Sequence, residues 1–161
     1  MKTPVVTRER LAYAAAAGSL ALLLGAFAFE YLGGMAPCAL CIWQRWPHGL
    51  AVLAGVGVAV VPGAAVLALG AASATASGGL GVYHTGVERG WWTGPTSCSG
   101  GGDISAMGTD ALLAQIMAAP VVRCTDIAWE LAGLSMASWN AVLSFALAGV
   151  WIAALLSRRA G

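Results

Sequence analysis

The residues best suited to chemistry in this chain are its four cysteines, Cys38, Cys41, Cys98 and Cys124. Two cysteine pairs can pass oxidising equivalents between them, because a thiolate attacks a disulfide through a mixed intermediate. Four cysteines allow three pairings. The spacing favours Cys98 with Cys124, since closing a long loop stabilises it by about 3 to 4 kcal/mol in the chain-entropy model. A bridge between Cys38 and Cys41, which form a C-x-x-C element, closes almost no chain and is better suited to redox exchange.

Two other uses of the same cysteines remain open. Structural zinc sites also use four cysteines, so a metal-binding or metal-transport membrane protein is the alternative function. Against it, the chain has only one C-x-x-C element, and an oxidising compartment favours disulfides over thiolate ligands. A third interpretation is a structural bundle whose disulfides only stabilise a loop.

The neighbours of the C-x-x-C element favour a reactive thiol. Pro37 precedes it and a helix is expected to follow, so the thiols would lie at the positive end of a helix dipole, which stabilises thiolate. Arg45 follows Cys41 by one helical turn and could stabilise a thiolate there or a reduced cofactor beside it, or it could be an interfacial cation. His48 is a candidate cofactor or proton contact, or a hydrogen-bonded structural histidine. Glu30 could relay a proton or be an interfacial carboxylate.

The composition excludes a soluble globular protein. Of 161 residues, 59% are hydrophobic and only 9% are charged, whereas soluble domains carry about 25% charged residues. The formal net charge is +1 and the basic residues form no dense cluster, which excludes a nucleic-acid partner. The lipid bilayer is the expected environment. Since no dinucleotide or haem motif is present, a lipid-soluble oxidant such as a quinone fits a C-x-x-C element at the membrane surface.

Long uncharged stretches predict an all-α fold, a four-helix transmembrane bundle forming a single domain over residues 1–161. A helix needs about 20 apolar residues to cross a bilayer. The expected spans are at about 11–30, 42–61, 64–83 and 139–157. The Pro62-Gly63 pair divides one long uncharged stretch into two antiparallel helices.

An even number of spans places both termini on one side of the membrane. Basic residues lie near both ends, namely Lys2, Arg8, Arg10, Arg158 and Arg159. The positive-inside rule makes that side cytoplasmic. The loops at about 31–41 and 84–138, which hold all four cysteines, then face the outer compartment.

The long outer loop is expected to touch the membrane. Its apolar residues over 104–117 lie on one helical face, which predicts a short helix on the membrane surface. Ser99 to Gly102 would form a flexible hinge directly after Cys98. The first span could instead be a signal peptide cleaved after Ala28, although its apolar run is longer than the usual signal sequence.

The segment from Pro37 to Arg45, P-C-A-L-C-I-W-Q-R, resembles the P-C-x-L-C-x-x-[QE]-R signature of the disulfide bond formation protein B (DsbB) family. The second cysteine pair, and the segment from Cys124 to Trp139, also resemble that family. The resemblance covers nearly the whole chain. It implies a bacterial inner-membrane thiol:quinone oxidoreductase that reoxidises a periplasmic thioredoxin-like dithiol oxidase (DsbA) and passes the electrons to ubiquinone or menaquinone.

The resemblance also implies roles for single residues. Cys98 would form the mixed disulfide with the DsbA-like partner, Cys124 would exchange with Cys38, and Cys41 would contact the quinone with the help of Arg45. The segment after Arg45, Trp46-Pro47-His48, can differ among relatives, and His48 is a further candidate quinone contact. The resemblance assigns no role to the polar residues Glu30, His84 and Glu88. Vitamin K epoxide reductase-like enzymes share the chemistry, but their C-x-x-C lies late in the bundle.

Overall fold

Four long helices make up most of the part of the chain that the structure describes. The computed structural model describes residues 7–61, 63–98, 108–110, 113 and 122–157. The helices are α1 (Arg8–Tyr31), α2 (Ala39–Val60), α3 (Ala64–Glu88) and α4 (Met136–Leu156). The described residues are therefore mostly helical, which agrees with the helical fold that the sequence predicts.

Three of the helices, α1, α3 and α4, are long and apolar enough to cross a membrane. The first half of α2 carries Gln44, Arg45 and His48, which lower its mean hydropathy. The protein is thus a membrane protein with three helices able to span a bilayer. The crossing by α2, and with it the four-span bundle, stays a prediction.

The helix ends follow from local chemistry. Cys38 is the N-cap of α2, and its Sγ accepts a hydrogen bond from the backbone N–H of Cys41. Ser135 caps α4 in the same way, by accepting from the backbone N–H of Ser138. Such caps satisfy N–H groups that have no partner within the helix. The break between α2 and α3 lies where the Pro62-Gly63 pair predicts it, although Pro62 itself is outside the described residues.

Small residues allow the helices to approach closely. The helix α3 packs against both α2 and α4, while α1 packs against α2 and α4. At one end of the bundle an alanine-rich core surrounds the fully buried Trp151. At the opposite end a second core contains Cys38, Cys98 and Cys124, so these three cysteines are buried.

The loop between α3 and α4 is described in two pieces. A 3₁₀ turn, Thr96–Cys98, precedes the gap, and a two-stranded antiparallel hairpin follows it, with β1 (Glu130–Leu131) paired to β2 (Leu134–Ser135). Ala132 and Gly133 both have positive φ, as a tight two-residue hairpin turn requires. The hairpin leads directly into the N-cap of α4.

Several predicted features fall outside the described residues. The predicted hinge at 99–102 and the terminal residues Lys2, Arg158 and Arg159 are among them, as is most of the predicted surface helix over 104–117.

Candidate functional site

The four cysteines meet at one end of the bundle. Cys98 and Cys124 are joined by a disulfide, with an S–S distance of 2.04 Å. Cys38 and Cys41 are free thiols, and their Sγ atoms lie 2.9 Å apart. The Sγ atoms of Cys38 and Cys124 lie within 4.8 Å of each other. A dithiol and a disulfide are therefore adjacent, as direct exchange between the pairs requires.

The two thiols of the C-x-x-C element have different surroundings. Cys38 is 5% exposed, whereas Cys41 is partly exposed. The hydrogen bond that Cys38 donates to Cys41, together with burial, raises the pKa of the Cys38 thiol. A negative charge on the pair is therefore favoured on Cys41 over Cys38.

Arg45 is held by two neighbours on α1. Its Nη1–H donates to Oε2 of Glu30 at 2.5 Å, and its guanidinium lies 4.9 Å from the centroid of the Phe27 ring. The side chains of Arg45 and Glu30 are 18% and 20% exposed, so this ion pair is largely shielded from water. The Nε atom of Arg45 is buried and has no hydrogen-bond partner among the described residues.

His84 connects α3 to the thiols. Its Nε2 lies 3.5 Å from Sγ of Cys38 and 3.9 Å from Oε1 of Glu88, while its Nδ1 lies 2.9 Å from Nε2 of Gln44. Glu88 in turn accepts a hydrogen bond from the hydroxyl of Ser135. The hairpin and the start of α4 are thus tied to the same end of α3 that holds the imidazole.

A second group of polar side chains extends from Gln44 deeper into the bundle. Nδ2 of Asn140 donates to Oε1 of Gln44 at 2.7 Å and lies 3.2 Å from Oγ of Ser77. Oδ1 of Asn140 faces Nε2 of His48 at 3.0 Å, which also lies 3.2 Å from Oγ of Ser144. We call the continuous series Cys38, His84, Gln44, Asn140 and His48 the polar chain. It joins α2, α3 and α4.

A cavity of about 370 Å³ lies beside these groups. Cys41, Arg45 and His48 line it, together with apolar side chains of α1 and α4 such as Leu22, Phe29 and Leu143. Its volume and its mainly apolar wall with a few polar groups are typical of small-molecule sites. Nε of Arg45 and Nδ1 of His48, which have no hydrogen-bond partner among the described residues, belong to residues of this wall.

Comparison with known proteins identifies the family of this chain. The family model described as disulfide bond formation protein DsbB matches residues 8–154. The chain belongs to the DsbB family. The disulfide bond formation protein B of Verminephrobacter eiseniae (strain EF01-2) is 33% identical over 147 residues, which cover 86% of this chain and 80% of that protein. No solved structure matches the chain.

Membership of the DsbB family confirms the resemblance drawn from the signature around Cys38 and Cys41. It supports a function in disulfide bond formation for this membrane protein. Nothing favours the metal alternative. Cys38, His84 and Cys124 do lie close together, but the sulfur of Cys124 is bonded to Cys98 and is not a free thiolate ligand.

The structure brings all six candidate site residues to one region. The four cysteines form one cluster, and Arg45 and His48 line the same cavity. Their individual roles stay predictions. Gln44 and Asn140 also lie at this site, and no sequence pattern predicted them, although polar side chains inside apolar segments are a signal that could have found them.

Proposed function

We propose that this protein is a thiol:quinone oxidoreductase of the bacterial inner membrane. It reoxidises a periplasmic DsbA-like dithiol oxidase by disulfide exchange and passes the electrons to ubiquinone or menaquinone in the membrane. The observation that carries the proposal is the position of Cys38, in contact with Cys41 on one side and near Cys124 on the other, next to an apolar cavity.

The exchange begins at Cys98 and ends at Cys41. A thiolate of the partner attacks Cys98, which breaks the Cys98–Cys124 bond, and the second partner thiol then releases the oxidised partner. Cys124 attacks Cys38 of an oxidised Cys38–Cys41 bond, and Cys41 leaves as a thiolate. Cys98 then attacks Cys124 and restores their disulfide. Two electrons have then moved to the C-x-x-C pair, which becomes two free thiols beside the closed Cys98–Cys124 disulfide.

The different tendencies of Cys38 and Cys41 to become thiolates favour electron transfer toward Cys41. A thiol that more readily becomes a thiolate is the better leaving group, and the hydrogen bond from Cys38 directs negative charge to Cys41. Cys41 also lies in the first turn of α2, where the helix dipole favours an anion. Negative charge on the reduced pair is therefore favoured on Cys41, which lines the cavity together with Cys38.

The cavity fits a quinone head group. Its wall is mainly apolar, and Cys41, Arg45 and His48 would hold the ligand there. The Nε–H of Arg45, which has no partner among the described residues, would donate to a quinone carbonyl. A quinone bound there would accept two electrons and two protons from the dithiol, leaving a disulfide and a quinol. Glu30 fixes the direction of the Arg45 guanidinium and balances its charge.

The four-span arrangement completes the proposal. With 22 residues, α2 is about 33 Å long, which is enough to cross the hydrocarbon core. Its polar side chains Gln44 and His48 are buried in contacts with α3 and α4, so they need not face lipid. Both termini then lie in the cytoplasm and the cysteines on the periplasmic side.

The test is anaerobic mixing of the purified protein with a reduced partner dithiol and a soluble quinone. We expect Cys41→Ser to abolish quinone reduction. The matched control is Cys98→Ser, which should lose oxidation of the protein partner but still reduce quinone when a small dithiol reduces the C-x-x-C pair directly. Quinone reduction at the wild-type rate by Cys41→Ser would refute the proposal.

A further inference from the structure

The directions of the hydrogen bonds from Gln44 through Asn140 to His48 are fixed by one backbone carbonyl. Nε2 of Gln44 lies 3.0 Å from the carbonyl oxygen of Leu40, which can only accept, so the amide orientation of Gln44 is determined. Oε1 of Gln44 must then accept from Nδ2 of Asn140. This leaves Oδ1 of Asn140 as an acceptor, facing Nε2 of His48.

The tautomer of His48 follows from these donor and acceptor assignments. Because Oδ1 of Asn140 cannot donate, Nε2 of His48 carries the hydrogen. Oγ of Ser144, which is 3.4 Å from the same Oδ1, donates there as well and leaves the assignment unchanged. In the neutral ring, Nδ1 therefore has a lone pair and no hydrogen. This atom is buried and has no partner among the described residues, and His48 as a whole is 3% exposed.

A buried acceptor without a donor is costly, and His48 lines the cavity, so a ligand hydroxyl would supply the missing donor. We propose that Nδ1 of His48 accepts a hydrogen bond from the hydroxyl of a quinol head group, and that His48 thereby binds the reduced form of the electron acceptor in preference to the oxidised form. A quinone carbonyl has only lone pairs and cannot donate to this atom. The inference rests on the proposed function and adds to it a residue that distinguishes the two redox states of the ligand.

The first test reads the tautomer directly. The chain contains only two histidines, so ¹⁵N-histidine labelling gives four ring-nitrogen resonances, and a His84→Gln variant assigns them. We expect hydrogen on Nε2 of His48, a bare Nδ1, and a shift of the Nδ1 resonance toward the hydrogen-bonded value when a short-chain ubiquinol is added. The corresponding ubiquinone should produce a smaller shift. Hydrogen on Nδ1, or no shift with ubiquinol, would overturn the proposal.

The second test separates ligand binding from support of the bundle. His48→Gln can place an amide N–H near the position of Nε2 and keep the contact with Asn140, but it removes the acceptor at Nδ1. We expect it to weaken ubiquinol binding by about fivefold to tenfold, the usual effect of one hydrogen bond, with less than about a threefold change for ubiquinone. Ser144→Ala is the matched control, because it removes the other contact of Nε2 and leaves Nδ1 intact. Its binding of both ligands should stay near that of the wild type.

The outcomes distinguish this inference from the proposed function. If the wild-type protein reduces quinone but His48→Gln keeps the wild-type ratio of quinol to quinone affinity, the His48 assignment is wrong and the proposed function stands. If the wild-type protein binds neither ligand and reduces no quinone, both are wrong.

Discussion

Gly81 on α3 allows the close helix contact on which the polar chain depends. A Cβ atom at this position would lie 2.9 Å from the backbone nitrogen of Ala141, 3.0 Å from the carbonyl oxygen of Ala137 and 3.1 Å from Cα of Ala141. These are backbone atoms, so no side-chain rotation can relieve the contact. Since carbon contacts are optimal at about 3.5 to 4.0 Å, Gly81→Ala should separate α3 and α4 by about 0.5 Å.

The loss of stability that the steric clash causes can be measured by comparison with a substitution at a neighbouring glycine. Gly79 has nothing within 4 Å of an added Cβ, so Gly79→Ala carries the same gain in helix propensity, about 1 kcal/mol, without the clash. Overpacking of this kind costs about 1 to 3 kcal/mol. We therefore expect Gly81→Ala to be less stable than Gly79→Ala by about 1 to 3 kcal/mol, measured as unfolding of the detergent-solubilised protein by denaturant.

The increased distance between α3 and α4 should also disturb the hydrogen bonds of the site. Asn140 precedes Ala141, and its Nδ2 lies 3.2 Å from Oγ of Ser77, one turn before Gly81. A further 0.5 Å or so would exceed hydrogen-bond distance, so Gly81→Ala should also reduce soluble quinone more slowly than Gly79→Ala. Equal stability and equal rates in the two variants would refute the argument that backbone contact at Gly81 sets the spacing of α3 and α4.

Three further perturbations test the site from other directions. Glu30→Gln leaves the largely buried Arg45 without its ion-pair partner, and we expect it to lower the free energy of unfolding by about 2 to 3 kcal/mol. Iodoacetamide added to the reduced protein should alkylate Cys41 before Cys38, because Cys38 is buried and its pKa is raised, as mass spectrometry of digests will show. Ser135→Ala removes the N-cap of α4 and a hydrogen bond to α3, and should cost about 1 to 2 kcal/mol of stability in the same denaturant assay.

Each of these predictions has its own control. Glu130→Gln changes an exposed carboxylate and should alter stability by less than about 0.5 kcal/mol, so an equal effect of Glu30→Gln would mean that the ion pair adds nothing. Alkylation of Cys38 first would contradict the assigned direction of the thiol hydrogen bond. Ser135→Thr retains a capping hydroxyl and should restore most of the stability that Ser135→Ala loses.

Local patterns in the sequence predicted the elements well. Runs of uncharged residues located the helices, and the spacing of Cys38 and Cys41 before Arg45 located the site, because both depend on neighbours along the chain. The ion pair between Glu30 and Arg45 joins two helices, and it depends on how α1 rotates against α2, which spacing does not determine. The contact of Asn140 with Ser77 likewise depends on the approach of α3 and α4, set by small residues such as Gly81.

The burial of the loop disulfide has a consequence for selectivity toward reductants. Cys98 is 5% exposed and Cys124 is fully buried, so a small thiol dissolved in the surrounding water has little direct access to either sulfur. Under the proposed function, a protein dithiol would differ, because the free energy of its binding would displace the 3₁₀ turn at Thr96–Cys98 and uncover the bond. The disulfide would then react slowly with small reductants and rapidly with a partner large enough to open the turn.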